Sequence, residues 1–155
     1  NLSNNFDKRC PISIWEQRIV IGNPDGKIQL FDIRNEKPMN KKIHKSKVNT
    51  VKFHPSGRFI ISGGMDNCIV ISDANDIYRS SEIISDVLAA SSYDRKSGIT
   101  DIAVSRQSIV VGGFSRFLQV WTVENEQLTG FKKSLSSAID LRNISYANND
   151  EYFSD

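Results

Sequence analysis

Three polar residues in the middle of the chain have the chemical types of a hydrolytic triad. His44 could act as a base, Ser62 could supply a hydroxyl nucleophile, and Asp66 could orient the histidine. A nucleophilic serine of that kind is commonly held on a sharp turn between a strand and a helix. The segment from Ile60 to Ile71 instead has two apolar runs around a glycine turn, and no helical pattern follows it. The local pattern therefore favours a hairpin and a structural role for all three residues.

The other residues that could do chemistry also lack the necessary context. The glycines of the hairpin pattern are not followed by Lys-Ser or Lys-Thr and open no helical pattern, as a phosphate-binding loop would require; they are Gly22, Gly63-Gly64 and Gly112-Gly113. Cys10 and Cys68 form no Cys-x-x-Cys pair, and the chain has 2 histidines, which argues against a zinc site or a disulfide framework. We predict no catalytic residue, no metal ion and no cofactor.

The composition indicates a globular protein. The 155 residues are 39% hydrophobic and 25% charged, and the formal net charge of +2 is too small to indicate nucleic acid or a membrane surface. No apolar run approaches the roughly 18 residues that a membrane helix needs, and the first residues have no signal-peptide features. Together with free cysteines, this predicts a cytoplasmic or nuclear protein without a membrane partner.

Short apolar runs of strand length recur along the chain. They are rich in isoleucine and valine, and turn residues such as Asn23 to Gly26 and His54 to Gly57 separate them. The pattern predicts an all-β protein built from hairpins, with His54 as a turn residue at the surface. A strand near residues 82–87 is expected next, and a short helix over residues 81–90 is the alternative.

The apolar runs form an internal repeat. Ile12 to Ile33 aligns with Ile102 to Val123 without a gap, and Ile61 to Asp73 aligns between these two copies, with Asp66 on Asp25. A fourth copy begins near residue 140 and stops before its glycine turn. The spacing is about 41 residues and then about 49, within the range of four-stranded propeller blades.

The second copy resembles the WD-repeat family of β-propellers. Ile43-His44, Val48 to Gly57, Ser62 to Asp66 and Ser72-Asp73 follow the order of the family's Gly-His, Val-x-x-Val-x-Phe-x-Pro-x-Gly, Ser-Gly-x-x-Asp and Trp-Asp elements. The resemblance, which covers about residues 10–153, implies an all-β propeller segment of four-stranded antiparallel blades that is part of a seven-bladed ring. The expected blades are residues 10–42, 43–87 and 98–133, with an extended loop at 88–97 and a new blade starting at 140–155. Because this chain begins at Asn1 and a seven-bladed ring needs roughly 300 residues, the remaining blades should come from a longer chain or a partner.

The resemblance also implies a buried hydrogen-bond network in each blade, in which an aspartate, a histidine, a hydroxyl and a tryptophan indole satisfy one another. The predicted members are His44, Ser62, Asp66, Asp25 and Trp121. The network should be incomplete, since Ser72 replaces the tryptophan of the second copy. The first copy has Ile21 and Phe31, and the third has Val111 and Ser115, at other network positions. We expect those two blades to depend on apolar packing between sheets.

Partner contacts are implied on the narrower face of the propeller. The residues at the positions that the family often uses are Lys45, Lys47, Asn49, Met65, Thr100 and Phe114. Met65 and Phe114 are apolar residues at predicted hairpin tips, for which ordinary turn packing is the alternative. Six lysines should make the loop after the first blade basic, so that it is either simply solvated or attracts an acidic partner through Lys45 and Lys47; they are Lys37, Lys41, Lys42, Lys45, Lys47 and Lys52.

These features predict a non-catalytic scaffold that mediates protein–protein interactions within a larger intracellular complex. One alternative is recognition of nucleic acid or a nucleoprotein by the lysine-rich loop. A second is a substrate receptor of a cullin-type ubiquitin ligase, because Phe31 to Arg34 is similar to the family's Trp-Asp-x-Arg variant. A third is an enzyme whose catalytic domain lies outside this segment.

Overall fold

The computed structural model describes residues 9–88, 98–115, 117–122 and 137–140. Within these residues the regular structure is entirely β, in three four-stranded antiparallel sheets. The strands of the first sheet are β1 (Ile12–Trp15), β2 (Arg18–Gly22), β3 (Lys27–Asp32) and β4 (Asn35–Lys42). Those of the second are β5 (Val48–Phe53), β6 (Phe59–Gly64), β7 (Ile69–Asp73) and β8 (Glu82–Ile84), and those of the third are β9 (Ile99–Val104), β10 (Ser108–Gly113), β11 (Phe117–Thr122) and β12 (Ser137–Asp140). The predicted all-β class with four-stranded antiparallel blades is confirmed.

In each sheet the strands lie in chain order, and neighbouring strands are antiparallel. The alternation of side chains along a strand then decides which face is buried. In β3, for example, Ile28 and Leu30 are buried whereas Gln29 is partly exposed. The first strands of the sheets, β1, β5 and β9, lie beside one another, and this arrangement places the hairpin tips of neighbouring sheets close together.

Two apolar clusters fill the spaces between the sheets. The second sheet is buried on both faces: Ile60 packs toward the first sheet, and Phe59 and Ile61 pack toward the third. All six residues of β6 are buried. Since complete burial of such a side chain contributes about 1.5–3 kcal/mol, these clusters are the main source of adhesion between the sheets.

Arg18 adds a polar connection between the first and second sheets. Its guanidinium donates to the carbonyl oxygen of Gly57 at 2.7 Å and to that of Ala74 at 2.8 Å. It also lies 4.9 Å from the centre of the Trp15 ring, which is a favourable cation–π distance. Nothing in the sequence around Arg18 distinguished it from an ordinary exposed arginine.

His54 corrects one prediction, because its side chain is fully buried and does not lie at the surface. The turn itself is present, with the amide of Gly57 donating to the His54 carbonyl at 2.8 Å. The imidazole packs 4.2 Å from the Phe59 ring, and its Nε2 donates to the carbonyl oxygen of Arg106 at 3.1 Å. The turn between β9 and β10 therefore covers His54. No local sequence pattern predicts this contact between sheets.

The lysine-rich segment is a loop only in part: Lys45 and Lys47 lie between β4 and β5 as predicted, and Lys52 lies on β5. Lys37, Lys41 and Lys42 lie on β4, the outer strand of the first sheet. Lysines on an outer strand are a common means of keeping an exposed sheet edge soluble and unpaired.

The later part of the chain agrees with the predicted strand near residues 82–87, because β8 covers Glu82–Ile84 and replaces the alternative helix. The third sheet includes β12, Ser137–Asp140, which lies beyond the residue 133 at which the third blade was expected to end. Residues 89–97 of the predicted loop and residues 141–155 of the predicted fourth copy lie outside the described residues. The blade boundaries stay a prediction.

Candidate functional site

His44, Ser62 and Asp66 form a continuous hydrogen-bonded group, here called the His44 network. His44 Nδ1 lies 3.0 Å from Asp66 Oδ1, and His44 Nε2 lies 2.8 Å from Ser62 Oγ. Because a carboxylate can only accept, Nδ1 carries the imidazole proton and Nε2 accepts from the Ser62 hydroxyl. The Asp66 carboxylate also accepts from the backbone amides of Lys45 at 2.9 Å and Cys68 at 3.2 Å.

The spacing within the His44 network is that of a hydrolytic triad, but its burial prevents hydrolysis. Ser62 is 0% exposed and lies within strand β6, so its hydroxyl cannot meet a substrate. Burial is also the main cause that lowers the pKa of His44 from 6.5, against the opposing charge and hydrogen bond of Asp66. The neutral imidazole is the form that fits the fold. Neutral His44 therefore stabilises the folded state at pH values above its unfolded pKa of about 6.5. This stabilisation is lost as the pH falls through the lowered pKa of His44 in the folded state.

Asp25, which aligns with Asp66, has no such role in the first sheet. Its side chain is 56% exposed, and it accepts from the backbone amide of Lys27 at 3.2 Å. In the second sheet Ser72 lies where tryptophan was expected, and its hydroxyl is 3.4 Å from that of Ser81. The first sheet therefore has a local turn in place of a buried network.

Trp121 is the buried tryptophan of the third sheet, and it is only 4% exposed. Its indole Nε1 has no hydrogen-bond partner among the described residues. The hydroxyl that should accept this proton is missing, because Val111 stands at the position that Ser62 has in the second sheet. A buried donor of this kind costs about 1–3 kcal/mol if it stays unpaired.

Replacing Val111 with threonine should therefore raise the free energy of unfolding by about 1 kcal/mol, since the new hydroxyl can accept from Trp121. Chemical denaturation of the full-length protein would measure the change. Val110→Thr is the matched control because Val110 is less buried and points to the opposite face of β10. A gain at residue 110 as large as that at residue 111 would contradict the interpretation.

A depression of about 650 Å³, here called the Met65–Phe114 depression, lies where hairpin tips of the second and third sheets meet the segment before β1. It is lined by most of the residues predicted to contact partners, namely Lys47, Asn49, Met65, Thr100 and Phe114. Lys45 is not among its lining residues; its backbone amide binds Asp66, and its exposed position is outside the depression. The structure thus brings together five side chains that are up to 67 positions apart in the sequence.

Arg9, Cys10 and Pro11 also line the depression, and the sequence did not predict them as contacts. They precede β1 and the aligned run that begins at Ile12. Pro11 is placed by its carbonyl oxygen, which accepts from the amide of Gly22 at 3.0 Å. At the 90-residue offset of the first and third copies, Cys10 falls on the predicted contact Thr100, and this was the available signal.

Backbone hydrogen bonds fix the walls of the Met65–Phe114 depression. The amide of Met65 donates to the Lys47 carbonyl at 2.9 Å, and the amide of Phe114 donates to the Gly98 carbonyl at 3.1 Å. The side-chain amide of Asn49 donates to the carbonyl of Ile99 at 2.8 Å, so Asn49 also holds β5 against β9. Because these hydrogen bonds already order the surface, it loses little conformational entropy when it binds a partner.

A second depression, of about 340 Å³, lies beside the Arg18 contact. Its lining includes both charge signs, with Arg34 paired to Asp32 at 3.1 Å. Hydrogen bonds from Arg34 lower the pKa of the Asp32 carboxyl. Because Arg34 and Asp32 in its lining already pair with each other, this depression is a weaker candidate for a binding site than the Met65–Phe114 depression.

In the described part of the chain, no cluster of three or more His, Cys, Asp or Glu could hold a metal ion.

Residues 37–73 match the family model of the WD domain, G-beta repeat. The matched segment includes β5, β6, β7 and the complete His44 network. Residues 37–73 are a WD repeat. The second sheet has the histidine, hydroxyl and aspartate of the network, with Ser72 at the tryptophan position, while the first and third sheets have fewer of its members.

Two curated relatives extend the similarity along most of the chain. Eukaryotic translation initiation factor 3 subunit I of Caenorhabditis briggsae is 27% identical over 124 residues, which are 76% of this chain and 36% of that protein. The Caenorhabditis elegans protein of the same name is 26% identical over 121 residues, 74% of this chain and 35% of the relative. The WD-repeat chain therefore spans about a third of the length of these relatives.

Solved structures show the same fold at low identity. A chain in the crystal structure of the mitotic checkpoint complex superposes with a TM-score of 0.61 at 18% identity, over 84% of this chain and 37% of that one. The computationally designed Ika4 protein gives a TM-score of 0.59 at 22% identity, over 87% of this chain and 79% of its own. The propeller-like arrangement of the sheets agrees with the WD-repeat assignment. No helix in the described ranges has the length and apolar character required to cross a membrane.

Proposed function

We propose that this WD-repeat chain is part of a non-catalytic scaffold subunit in a multi-subunit intracellular complex. The observation that carries the proposal is the similarity to translation initiation factor 3 subunit I over about three quarters of the chain. The burial of Ser62, which closes the candidate triad to substrates, supports a non-catalytic role. The complex would be a translation initiation complex in the cytoplasm, and the protein partners would be its other subunits.

The exposed outer face of the first sheet supports a complete propeller in the whole protein. The first sheet exposes Ile12 and Ile14 at 63% each, on the face that does not pack against the second sheet. Isoleucines at alternate positions on one face of an inner strand are expected to be covered by another blade. We propose that further blades, supplied by the same chain or by a partner, close a seven-bladed ring around these three sheets.

Purification of the full-length protein from its own cells tests this function. We expect a tagged copy at its natural level to elute with several stoichiometric proteins, among which mass spectrometry would identify subunits of translation initiation factor 3. The same tag on an unrelated protein of similar abundance is the control. A stable complex of other proteins would overturn the assignment to translation initiation and keep the scaffold, whereas recovery as a lone monomer under gentle conditions would contradict both.

A further inference from the structure

The outer side of strand β4 is an edge of the first sheet. In the described sheet β4 pairs with β3 on one side only, and its eight residues make it the longest strand in the described ranges. The other side of such a strand presents backbone amides and carbonyls with which a strand of another molecule can pair. A long edge therefore needs features that prevent unwanted strand pairing.

Tyr78, in the connection between β7 and β8, binds this edge from the second sheet. The backbone amide of Asn40 donates to the Tyr78 hydroxyl at 3.2 Å. Asn40 lies opposite Gln29 of β3, and an amide of an antiparallel strand points either toward its neighbour or away from it. Because the Asn40 amide donates to Tyr78, it points away from β3. The Tyr78 hydroxyl therefore takes the place of a carbonyl on an added strand.

The connection that carries Tyr78 is fixed by its own contacts. Ile77 is fully buried in the cluster between the first and second sheets, and this anchors the backbone beside Tyr78. The amide of Tyr78 donates to Asp76 Oδ1 at 3.0 Å. Lys41 Nζ donates to the carbonyl oxygen of Arg79 at 2.9 Å, which holds the same connection against β4. The Tyr78 ring is therefore held beside the edge.

The bond between Tyr78 and Asn40 has a larger effect on the edge than on stability. The Tyr78 side chain is 59% exposed, so water could bind its hydroxyl almost equally well, and the net gain from such a hydrogen bond is small. The bond does, however, occupy the Asn40 amide. A strand of another molecule could pair at this position only by displacing the Tyr78 hydroxyl.

Other features of β4 oppose strand pairing on either side of Asn40. Pro38 has no backbone N–H to donate. The register of β4 against β3 shifts between the pairs of Leu30 and Asp32, and such an irregularity makes an edge a poorer template. The lysines of β4 would repel a second copy of the same strand. Asn40 lies among these features, and its amide is the one that Tyr78 covers.

We infer that the Tyr78 hydroxyl guards the outer edge of β4, by occupying the Asn40 amide with which a second copy of this chain would otherwise pair. The inference does not depend on the scaffold function, because it concerns contacts within this chain. When the guard is removed, two β4 edges pair more readily. Salt promotes this pairing, since screening weakens the repulsion between the lysines of the two strands.

Tyr78→Phe tests the guard, because it removes the hydroxyl and keeps the ring. Hydrogen-exchange mass spectrometry of the full-length protein, with fragmentation to single residues, should show exchange of the Asn40 amide about tenfold faster in the variant. Ile83→Ser is the matched control, since it removes another 59% exposed side chain of the second sheet and should change that rate less than about twofold. An unchanged Asn40 rate in Tyr78→Phe, or equal acceleration in both variants, would overturn the inference.

Self-association is the second measurement. Sedimentation velocity of the full-length protein should show about tenfold tighter self-association for Tyr78→Phe combined with Pro38→Val than for the wild type, with further tightening as the salt concentration rises. Tyr78→Phe alone should give a smaller increase in the same direction. If the Asn40 amide exchanges faster while self-association of both variants stays at the wild-type level, Tyr78 is an ordinary surface contact and the inference fails. Self-association that weakens as salt rises would contradict pairing between the lysine-bearing edges.

Discussion

Replacing Asp66 with alanine should lower the free energy of unfolding by about 3 kcal/mol, because the substitution removes one partner from a buried polar group. His44 Nδ1 and the backbone amides of Lys45 and Cys68 would all lose their acceptor. His44 is 2% exposed, so water cannot replace the carboxylate at its ring without opening the fold. Urea denaturation of the full-length protein, monitored by tryptophan fluorescence, would measure the loss.

Asp25→Ala is the control for Asp66→Ala, since the two aspartates occupy aligned positions of the repeat. Asp25 has an exposed side chain, and within the described ranges it binds the amide and the ammonium of Lys27 at its own turn. Its replacement should cost no more than about 0.5 kcal/mol, as is usual for an exposed site. Equal losses for the two variants would contradict the view that the His44 network, rather than the turn aspartate alone, stabilises the second sheet.

The repeat made the His44 network predictable, because all of its members lie in one copy at fixed positions. The same regularity explains why most predicted partner residues meet in the Met65–Phe114 depression: equivalent hairpin tips of adjacent sheets lie at the same end. Periodic positions in the sequence become neighbouring positions in space. Most of these residues could thus be predicted to lie on one face without knowledge of any single contact.

Contacts between sheets could not be predicted in this way, because each depends on one pair of distant segments. Arg18 reaches the carbonyls of Gly57 and Ala74, and His54 reaches that of Arg106. Asn67 binds the backbone of Leu88 in both directions, with its side-chain amide donating at 2.9 Å and accepting at 3.0 Å. In the sequence, all three look like ordinary polar residues of turns or strand ends.

Composition gave a misleading location for the basic residues. The lysines from Lys37 to Lys52 were interpreted as one basic loop after the first blade. An outer strand has only one hydrogen-bonded neighbour and faces solvent, so it needs no apolar alternation. The strand β4 includes Pro38 and pairs with β3 through residues such as Met39 and Lys41. The edge position of β4 thus explains both its structure and its polar sequence.

Gly26→Ala should also destabilise the protein by about 3 kcal/mol, because alanine conflicts with both the backbone angle and the available space. Gly26 has a φ of 90°, which L-residues rarely adopt. A Cβ atom at this position would overlap the carbonyl oxygen of His44. The amides of Ile43 and His44 both donate to the Gly26 carbonyl at 3.0 Å, so the turn cannot move away without breaking these bonds.

Gly112→Ala is the control for Gly26→Ala. It separates the strain and overlap at Gly26 from the general effect of replacing a hairpin glycine. Gly112 has no left-handed φ, and its added Cβ would meet only the end of the flexible Leu118 side chain at 3.1 Å. Its replacement should change the free energy of unfolding by less than about 1 kcal/mol. Since Gly26 supports the segment that carries His44, Gly26→Ala combined with Asp66→Ala should cost less than the sum of the two single losses. Strict additivity would show that the turn of the first sheet stabilises the fold independently of the His44 network.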